Sequence, residues 1–524
     1  HNRRFAWGLA VSNCTIHAYV FGPDDIWAST AMDISGIKGR RAFISLLVDW
    51  SLCPVDHLGF DPSIRYVVDR CVGGPYLEID VHKVNKSPGK VEPQTYYSQR
   101  CLGTADRLFG CHARYFAASA SPESMDKPAF LIKDVWMTSN SNSADDTNES
   151  SVLNVLHAEF DKSNEFKGSF SQLVSAGPVC ICRGTFVIDS TATAFAGLPS
   201  TTQDVAKAGS NVQGSSSSCV RQHRRTVTKW AGSMIAEADN QSQVVVAVAD
   251  AMTALNAAYV KCQILHSSIS DRAILLQQTV DGIKGVLAEF DYACYAGDSS
   301  GVDKVPELML FQSIRSLEDP KAARTILDDL ESLLYLVCWL GTFGVNKAQR
   351  EAYIAGLPKD PKLSILTWNK GSAIDIAQQK RLHMTTEDTF HSLILSKMRN
   401  GPLRRLAESM YGVLFLHLGC YGTTPIANER LERVADIDIR DALSRIPAIN
   451  GMHDPLVLRH AFVAAIIAKL LEVLARYRDV ALAALRTDGT DEVSWTPSLP
   501  SVGPSLKHYR DEVPVAGPSK RPRY

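Results

Sequence analysis

Near residue 240 the hydrophobic periodicity of this chain changes. Before that point apolar residues fall in short alternating runs separated by Gly, Pro, Asn, Asp and Ser, which is strand-and-turn patterning. From Gln241 onward, Val244, Val245, Val248, Met252, Leu255 and Tyr259 recur at three-to-four spacing, one apolar face of a helix. Strands gathered in one half and helices in the other predict an α+β fold rather than alternating βαβ units.

Within the first half, Phe5–Ala10, Thr15–Phe21 and Ile26–Met32 predict a three-stranded meander, because the residues between them are turn chemistry. A helix over 39–51 and strands at Ile64–Val68 and Tyr76–Val81 follow, and residues 1–88 are assigned to an N-terminal strand-rich module. Residues 89–240 form a second strand-patterned region with two low-complexity loops, 139–151 and 199–219, whose polar composition repays little of the entropy of ordering. Residues 241–486 are the helical region. Its expected helices are Leu327–Leu340, Ala373–Leu382, Thr386–Met398, Leu403–Leu418, Glu429–Arg445 and Pro455–Leu485. The Pro- and Ser-rich stretch 487–524 is expected to be a disordered tail.

A formal net charge of -1 supplies no global field toward nucleic acid or an acidic membrane, so neither is an expected partner. The cysteines lie mostly in apolar runs such as Leu336-Val337-Cys338-Trp339, as free buried thiols do, which points to a reducing, intracellular compartment. Cys180 and Cys182 lack a second Cys/His pair at zinc-ligand spacing and are expected to be two thiols on one strand face. The most apolar helical run, Ala461–Tyr477, is shorter than a bilayer span and contains Lys469, so it is expected to be a core helix. Lys520-Arg521-Pro522-Arg523 is a short basic run that suits a nuclear import signal or a solubilising end, leaving the cytoplasm and the nucleus as expected locations.

Four stretches carry chemistry-bearing residues. In Ala129–Trp136, strand alternation puts Lys133 on the inward face with Leu131 and Val135, where a lysine needs an anion to offset its desolvation. Glu149, opening the helical run Ser150–Leu156, is the candidate anion, with Glu159 as the alternative. In Gly285–Ala293 an apolar strand ends in Glu289-Phe290-Asp291, two carboxylates suited to a hard cation. The loop Ile264-Leu-His-Ser-Ser-Ile-Ser-Asp-Arg-Ala-Ile-Leu-Leu276 sets His266, Ser268, Asp271 and Ala273 between two apolar runs. Leu108–Tyr115 contains a single glycine, Gly110.

These stretches occur in the order used by protein kinases, and the chain resembles the fungal-type protein kinase domain family. Leu131-Ile-Lys-Asp-Val-Trp136 resembles the lysine strand, Ile264–Ser270 the I-L-H-R-D-I-S loop, and Glu289-Phe-Asp-Tyr-Ala293 the segment after it. Further matches are Arg4–Ala10, Leu58-Gly-Phe-Asp-Pro62, Phe311-Gln-Ser-Ile314, Asp329-Leu-Glu-Ser332, Trp368 and Lys380, so the likeness spans roughly 4 to 420. It implies a bilobal fold with a sheet-rich N-lobe and a helical C-lobe. It also implies a nucleotide site at Gly110, Lys133 and Glu149, a metal position at Glu289 with Asp291, and architectural roles for His266 and Asp329.

The departures fall on the chemistry. Ser268 stands where the kinase loop has its carboxylate base, and Ala273 where it has a magnesium-binding Asn. A serine is no carboxylate base, and an alanine offers a cation no oxygen. The resemblance therefore implies a pseudokinase that binds an unidentified protein partner, with ATP and Mg2+ binding weak or absent and resting on Lys133. The alternative is an active atypical Ser/Thr kinase in which Asp271 or Asp291 replaces the base and Glu289 holds magnesium.

Overall fold

The computed structural model describes residues 3–23, 26–69, 74–82, 93–104, 113–138, 148–162, 166–181, 187–194, 220–280, 282–297, 309–356, 364–384, 386–416 and 455–486. The fold is mixed α+β. The chain divides into two compact units, one built from 1–233, 250–280 and 284–332, the other from 234–249, 281–283 and 333–524.

The first unit opens with a small antiparallel sheet of β1 (Ala6–Ser12), β2 (Thr15–Phe21), β3 (Ile26–Ala28) and β4 (Met32–Asp33). The expected third strand, Ile26–Met32, is thus two short ones. Between them the Ser29 hydroxyl, rather than a backbone carbonyl, accepts the Ala18 amide at 3.0 Å and interrupts the ladder. Helix α1 (Ile37–Leu52) follows, two residues earlier than expected.

A seven-stranded antiparallel sheet comes next, containing β5 (Ile64–Asp69), β6 (Gly74–His82), β7 (Pro93–Thr104), β8 (Arg114–Ser119), β9 (Phe130–Thr138), β10 (Leu173–Pro178) and β11 (Arg221–Lys229). Its order is β10-β11-β9-β8-β7-β6-β5, so β6, from the stretch assigned to the N-terminal module, pairs with β7 beyond residue 88 and carries β5 into the same sheet. One face is an apolar core of Ile64, Ile79, Val81, Tyr96, Phe116, Ile132 and Val227. Strand alternation on β9 sends Ile132, Asp134 and Trp136 to that face, and Leu131, Lys133 and Val135 to the other. Helix α2 (Glu149–Phe160) is started by Asn148, whose side chain accepts the Ser151 amide in a reciprocal capping box.

The second unit is helical. The structure has Ala373–Met384, Glu387–Leu393, Pro402–Tyr411 and Pro455–Arg486 close to their expected places, and adds Lys347–Ala355. The segment Thr386–Met398 tightens to a 3-10 turn after Leu393, and Pro402–Tyr411 passes into a π-helical turn, Gly412–Leu416. Gly401 adopts φ 151° immediately before Pro402, and the Gln241 side-chain oxygen Oε1 accepts the Leu403 amide at 3.2 Å, satisfying a donor that the proline start leaves open. Trp368 is fully buried against Tyr335, and the Lys380 ammonium sits 4.2 Å from the centre of the Tyr335 ring. The expected helix Glu429–Arg445, most of the low-complexity loop 139–151, all of the loop 199–219 and the tail 487–524 lie outside the described residues.

One helix among the described residues, Gln241–Cys262, is long and apolar enough to cross a membrane by length and composition, a test that the core helix of a soluble protein also passes. Its apolar window is 67% buried, which favours a core helix, and it rather than Ala461–Tyr477 is the most span-like segment. Among the described cysteines, Cys180, Cys294 and Cys338 are buried free thiols, whereas Cys14 and Cys101 are exposed. Cys182 lies outside the described residues.

Candidate functional site

All described candidate residues fall in the first unit. Strand β9 carries Lys133 inward, and the ammonium is received by three carboxyl groups. Asp291 forms the closest ion pair, Glu289 Oε2 lies at 3.0 Å and Glu149 Oε2 at 3.7 Å. Lys133 and Glu149 are buried, Asp291 nearly so, and the Glu289 side chain is 19% exposed. Burial opposes a charge on Lys133. Asp291, and then Glu149 and Glu289, reverse that and hold it protonated well above the ordinary lysine range.

Glu149 is placed by the cap of α2, which sets it in the first helical turn facing β9. Its Oε1 accepts the Phe290 amide at 3.2 Å, while Oε2 has no hydrogen-bond partner. Burial pushes its carboxyl up to about 8, the Lys133 charge offsetting only part of that. Glu159, the alternative, is exposed near the far end of the same helix.

The two acids of Glu289-Phe290-Asp291 reach Lys133 through an unusual backbone. Glu289 has φ 67° and ψ 50°, left-handed values that a side-chain-bearing residue seldom adopts. The Phe290 ring is held between His266, at 4.7 Å between centres, and Phe170, at 6.1 Å.

His266 is buried and neutral, burial bringing it down to about 4. Its Nε2 donates to the Ala288 carbonyl at 2.8 Å, leaving Nδ1 to accept the Ser268 amide at 3.3 Å. Asp329 accepts the backbone amides of His266 and Ser267 at 2.8 and 2.7 Å, and Ser267 is left-handed at φ 63°. Neighbouring acids on the same helix, Ile326–Phe343, hold the segment that precedes it. Asp328 accepts from Ser313 Oγ at 2.7 Å, and Glu331 from the Ile314 amide at 2.7 Å.

Ala273 is fully buried and its carbonyl accepts the Ala288 amide at 2.9 Å, so this position offers backbone only. Ser268 and Asp271 are half-buried, and the Asp271 charge acts on its neighbour Arg272. Gly110 lies outside the described residues. The structure thus brings Lys133, Glu149, Glu289 and Asp291 together, with His266 and Asp329 supporting the backbone beside them.

Sequence reasoning missed Tyr115. In the β8–β9 register it stands opposite Lys133, and its hydroxyl donates to Glu289 Oε2 at 2.9 Å. The Arg272 guanidinium and the Lys133 ammonium lie 5.9 and 5.8 Å from its ring centre. Sequence reasoning also missed a buried ionic network on the other face of β9. There Asp134 accepts from Arg225 Nε at 2.8 Å and from Arg114 Nε at 2.7 Å, and Asp61 pairs with Arg225. His223 lies between Asp134, at 2.8 Å, and Asp189, at 2.9 Å, while Arg4 Nε donates to Asp189 at 2.7 Å.

The carboxylates of Glu289 and Asp291 are oxygen ligands of the type magnesium takes, and Lys133 is the type of group that meets a phosphate. In this arrangement they satisfy each other. A nucleotide phosphate must separate Lys133 from Asp291, and a cation must compete with the lysine for both acids.

Residues 1–341 match the protein-family model described as fungal protein kinase. Among curated proteins, none matches the chain.

Proposed function

Since the chain belongs to the fungal protein kinase family, a kinase family being one that uses ATP and Mg2+ in general, we propose that it is a kinase-like binding or scaffold protein with weak or absent phosphoryl transfer. Lys133 carries this reading: its charge is spent on Asp291 and Glu289 of its own chain. Phosphoryl transfer is almost entirely positioning and charge neutralisation. Ser268 supplies no carboxylate base and Ala273 no metal ligand, so two further parts of that machinery are missing. Asp329 accepts two loop amides and His266 donates to the Ala288 carbonyl, which supports a scaffold role for both. On this reading the two-lobed kinase arrangement is kept for recognition, and the partner is an intracellular protein rather than nucleic acid or membrane.

The test is incubation of the purified protein with labelled ATP and magnesium or manganese. The expected result is no autophosphorylation and no transfer to peptide; robust transfer abolished by Lys133→Ala overturns the proposal. Thermal unfolding with millimolar ATP reads the residual pocket, because a ligand specific for the native state raises its stability. A small or absent shift is expected.

The partial exposure of Glu289 beside Asp291 favours one other reading, an active atypical kinase in which Glu289 takes magnesium and Asp271 or Asp291 acts as base. Turnover lost in both Glu289→Gln and Asp271→Asn supports it with Asp271 as base, and turnover unchanged in both removes it.

A further inference from the structure

Helix α1 has sixteen residues, none of them buried. Its half-buried positions, Gly39, Phe43, Leu46 and Trp50, form one stripe, and Trp50 meets Trp7 of β1 at 5.4 Å between ring centres. The opposite stripe is also apolar. At about 100° per residue, Ile37, Ile44 and Val48 share one line with Leu52 beside it. They are 65%, 59%, 47% and 79% exposed. A helix that is apolar on two opposite faces is normally covered on both.

The charges on α1 say what covers it. Lys38, Arg40 and Arg41 crowd its first half, Asp49 stands in its last turn, and all four are exposed. The first turn holds no acid and the cap residue, Gly36, makes no side-chain hydrogen bond. Three cations therefore sit near the positive end of the helix dipole, an arrangement that costs stability in an isolated helix. An antiparallel copy relieves this by bringing the negative end of its dipole and its Asp49 to those cations, whereas a parallel copy stacks like charges.

The flanks agree with that choice. Lys38, Arg41 and Asp49 project on one side of the Ile37–Ile44–Val48 line, and a two-fold axis across an antiparallel helix pair brings matching flanks together. With the axis between Ile44 and Val48, those two residues meet their counterparts, and Arg41 of each helix lies within one turn of Asp49 of the other. We propose that this exposed face of α1 is an isologous interface through which two copies of the chain pair antiparallel. The proposal does not depend on the state of the Lys133 site.

Sedimentation velocity of the full chain from low to high micromolar concentration tests this. A concentration-dependent dimer is expected, with Ile44→Asp combined with Val48→Asp giving monomer across the range. The substituted side chains are exposed, so the circular dichroism spectrum and urea midpoint should stay those of the parent. Arg41→Glu or Asp49→Arg alone should weaken association about tenfold, and the two together should restore it, because the reversed charges pair again. A chain that is monomeric at every concentration overturns the proposal, as does a dimer indifferent to the Ile44→Asp, Val48→Asp double substitution.

Discussion

Glu149 Oε2 stands 3.7 Å from the Lys133 ammonium and has no hydrogen bond of its own, because Asp291 and Glu289 are closer to the same charge. Its carboxyl, pushed up by burial to about 8, is therefore protonated in the folded chain near neutral pH. An unfolded Glu titrates near 4.5. The stability Glu149 contributes is thus complete below about 4.5 and is lost as pH rises through about 8. Glu149→Gln cannot ionise, so its stability relative to the parent should rise across that window by on the order of a few kcal/mol. Urea midpoints of both proteins at acid and alkaline pH measure this; a constant gap between them would show that Glu149 does not titrate there.

Replacing the lysine tests the cluster itself. Lys133→Met removes the cation that pairs with both Asp291 and Glu289, leaving buried and partly buried carboxylates to repel one another. Breaking one side of a buried ion pair costs about 3–5 kcal/mol. We expect a loss of that size in urea unfolding without any ligand present, and partial recovery in the Lys133→Met, Asp291→Asn double variant. An unchanged midpoint would contradict the pairing.

Much of this arrangement was legible in the sequence, and the exceptions have physical causes. The alternation of Leu131, Lys133 and Val135 against Ile132 and Trp136 predicts which way the lysine points, since strand geometry forces it. The resemblance to the kinase family implies that Glu149 and Glu289 join it. Tyr115 was not legible because its place opposite Lys133 depends on the β8–β9 register, which alternation alone leaves open. The left-handed backbones of Ser267 and Glu289 leave no compositional trace, because neither position is glycine. The ionic network was hidden by its own pattern. Arg221-Gln-His-Arg-Arg225 puts polar groups on both faces of β11 and reads as an exposed strand, whereas acids from Asp61, Asp134 and Asp189 arrive to bury part of it.

Asp329 ties the loop by accepting two backbone amides at once, those of His266 and Ser267. Asp329→Ala leaves the buried His266 amide and the half-buried Ser267 amide without this acceptor, at about 1–3 kcal/mol for a fully buried donor and less for the other. The expected loss is about 3 kcal/mol, together with faster hydrogen exchange at these two amides. Asp329→Asn keeps one acceptor oxygen but turns an amide N–H toward the other donor, so it should fall between. Exchange at His266 and Ser267 unaffected by Asp329→Ala would refute the tether.

His223 is the remaining group whose charge can be read from geometry. Each ring nitrogen faces a carboxylate, Nε2 at 2.8 Å from Asp134 and Nδ1 at 2.9 Å from Asp189. Nδ1 is hydrogen-bonded to Asp189 while Nε2, close to Asp134, makes no aligned hydrogen bond, so it is the two anions against one ring that favour the imidazolium. Burial works against that charge, but Asp134 and Asp189 outweigh it and raise His223 above the ordinary 6.5. The stability it contributes is complete below about 6.5 and is lost as pH rises through the raised folded value. An imidazole is the side chain in this network that titrates near neutrality, so the slope there belongs to His223. His223→Gln should cost about 3 kcal/mol at slightly acid pH, and its deficit should shrink on the alkaline side as the parent loses its own proton. Urea unfolding of the two proteins on either side of neutrality measures the difference; parallel pH profiles would mean that His223 keeps a single protonation state over the range.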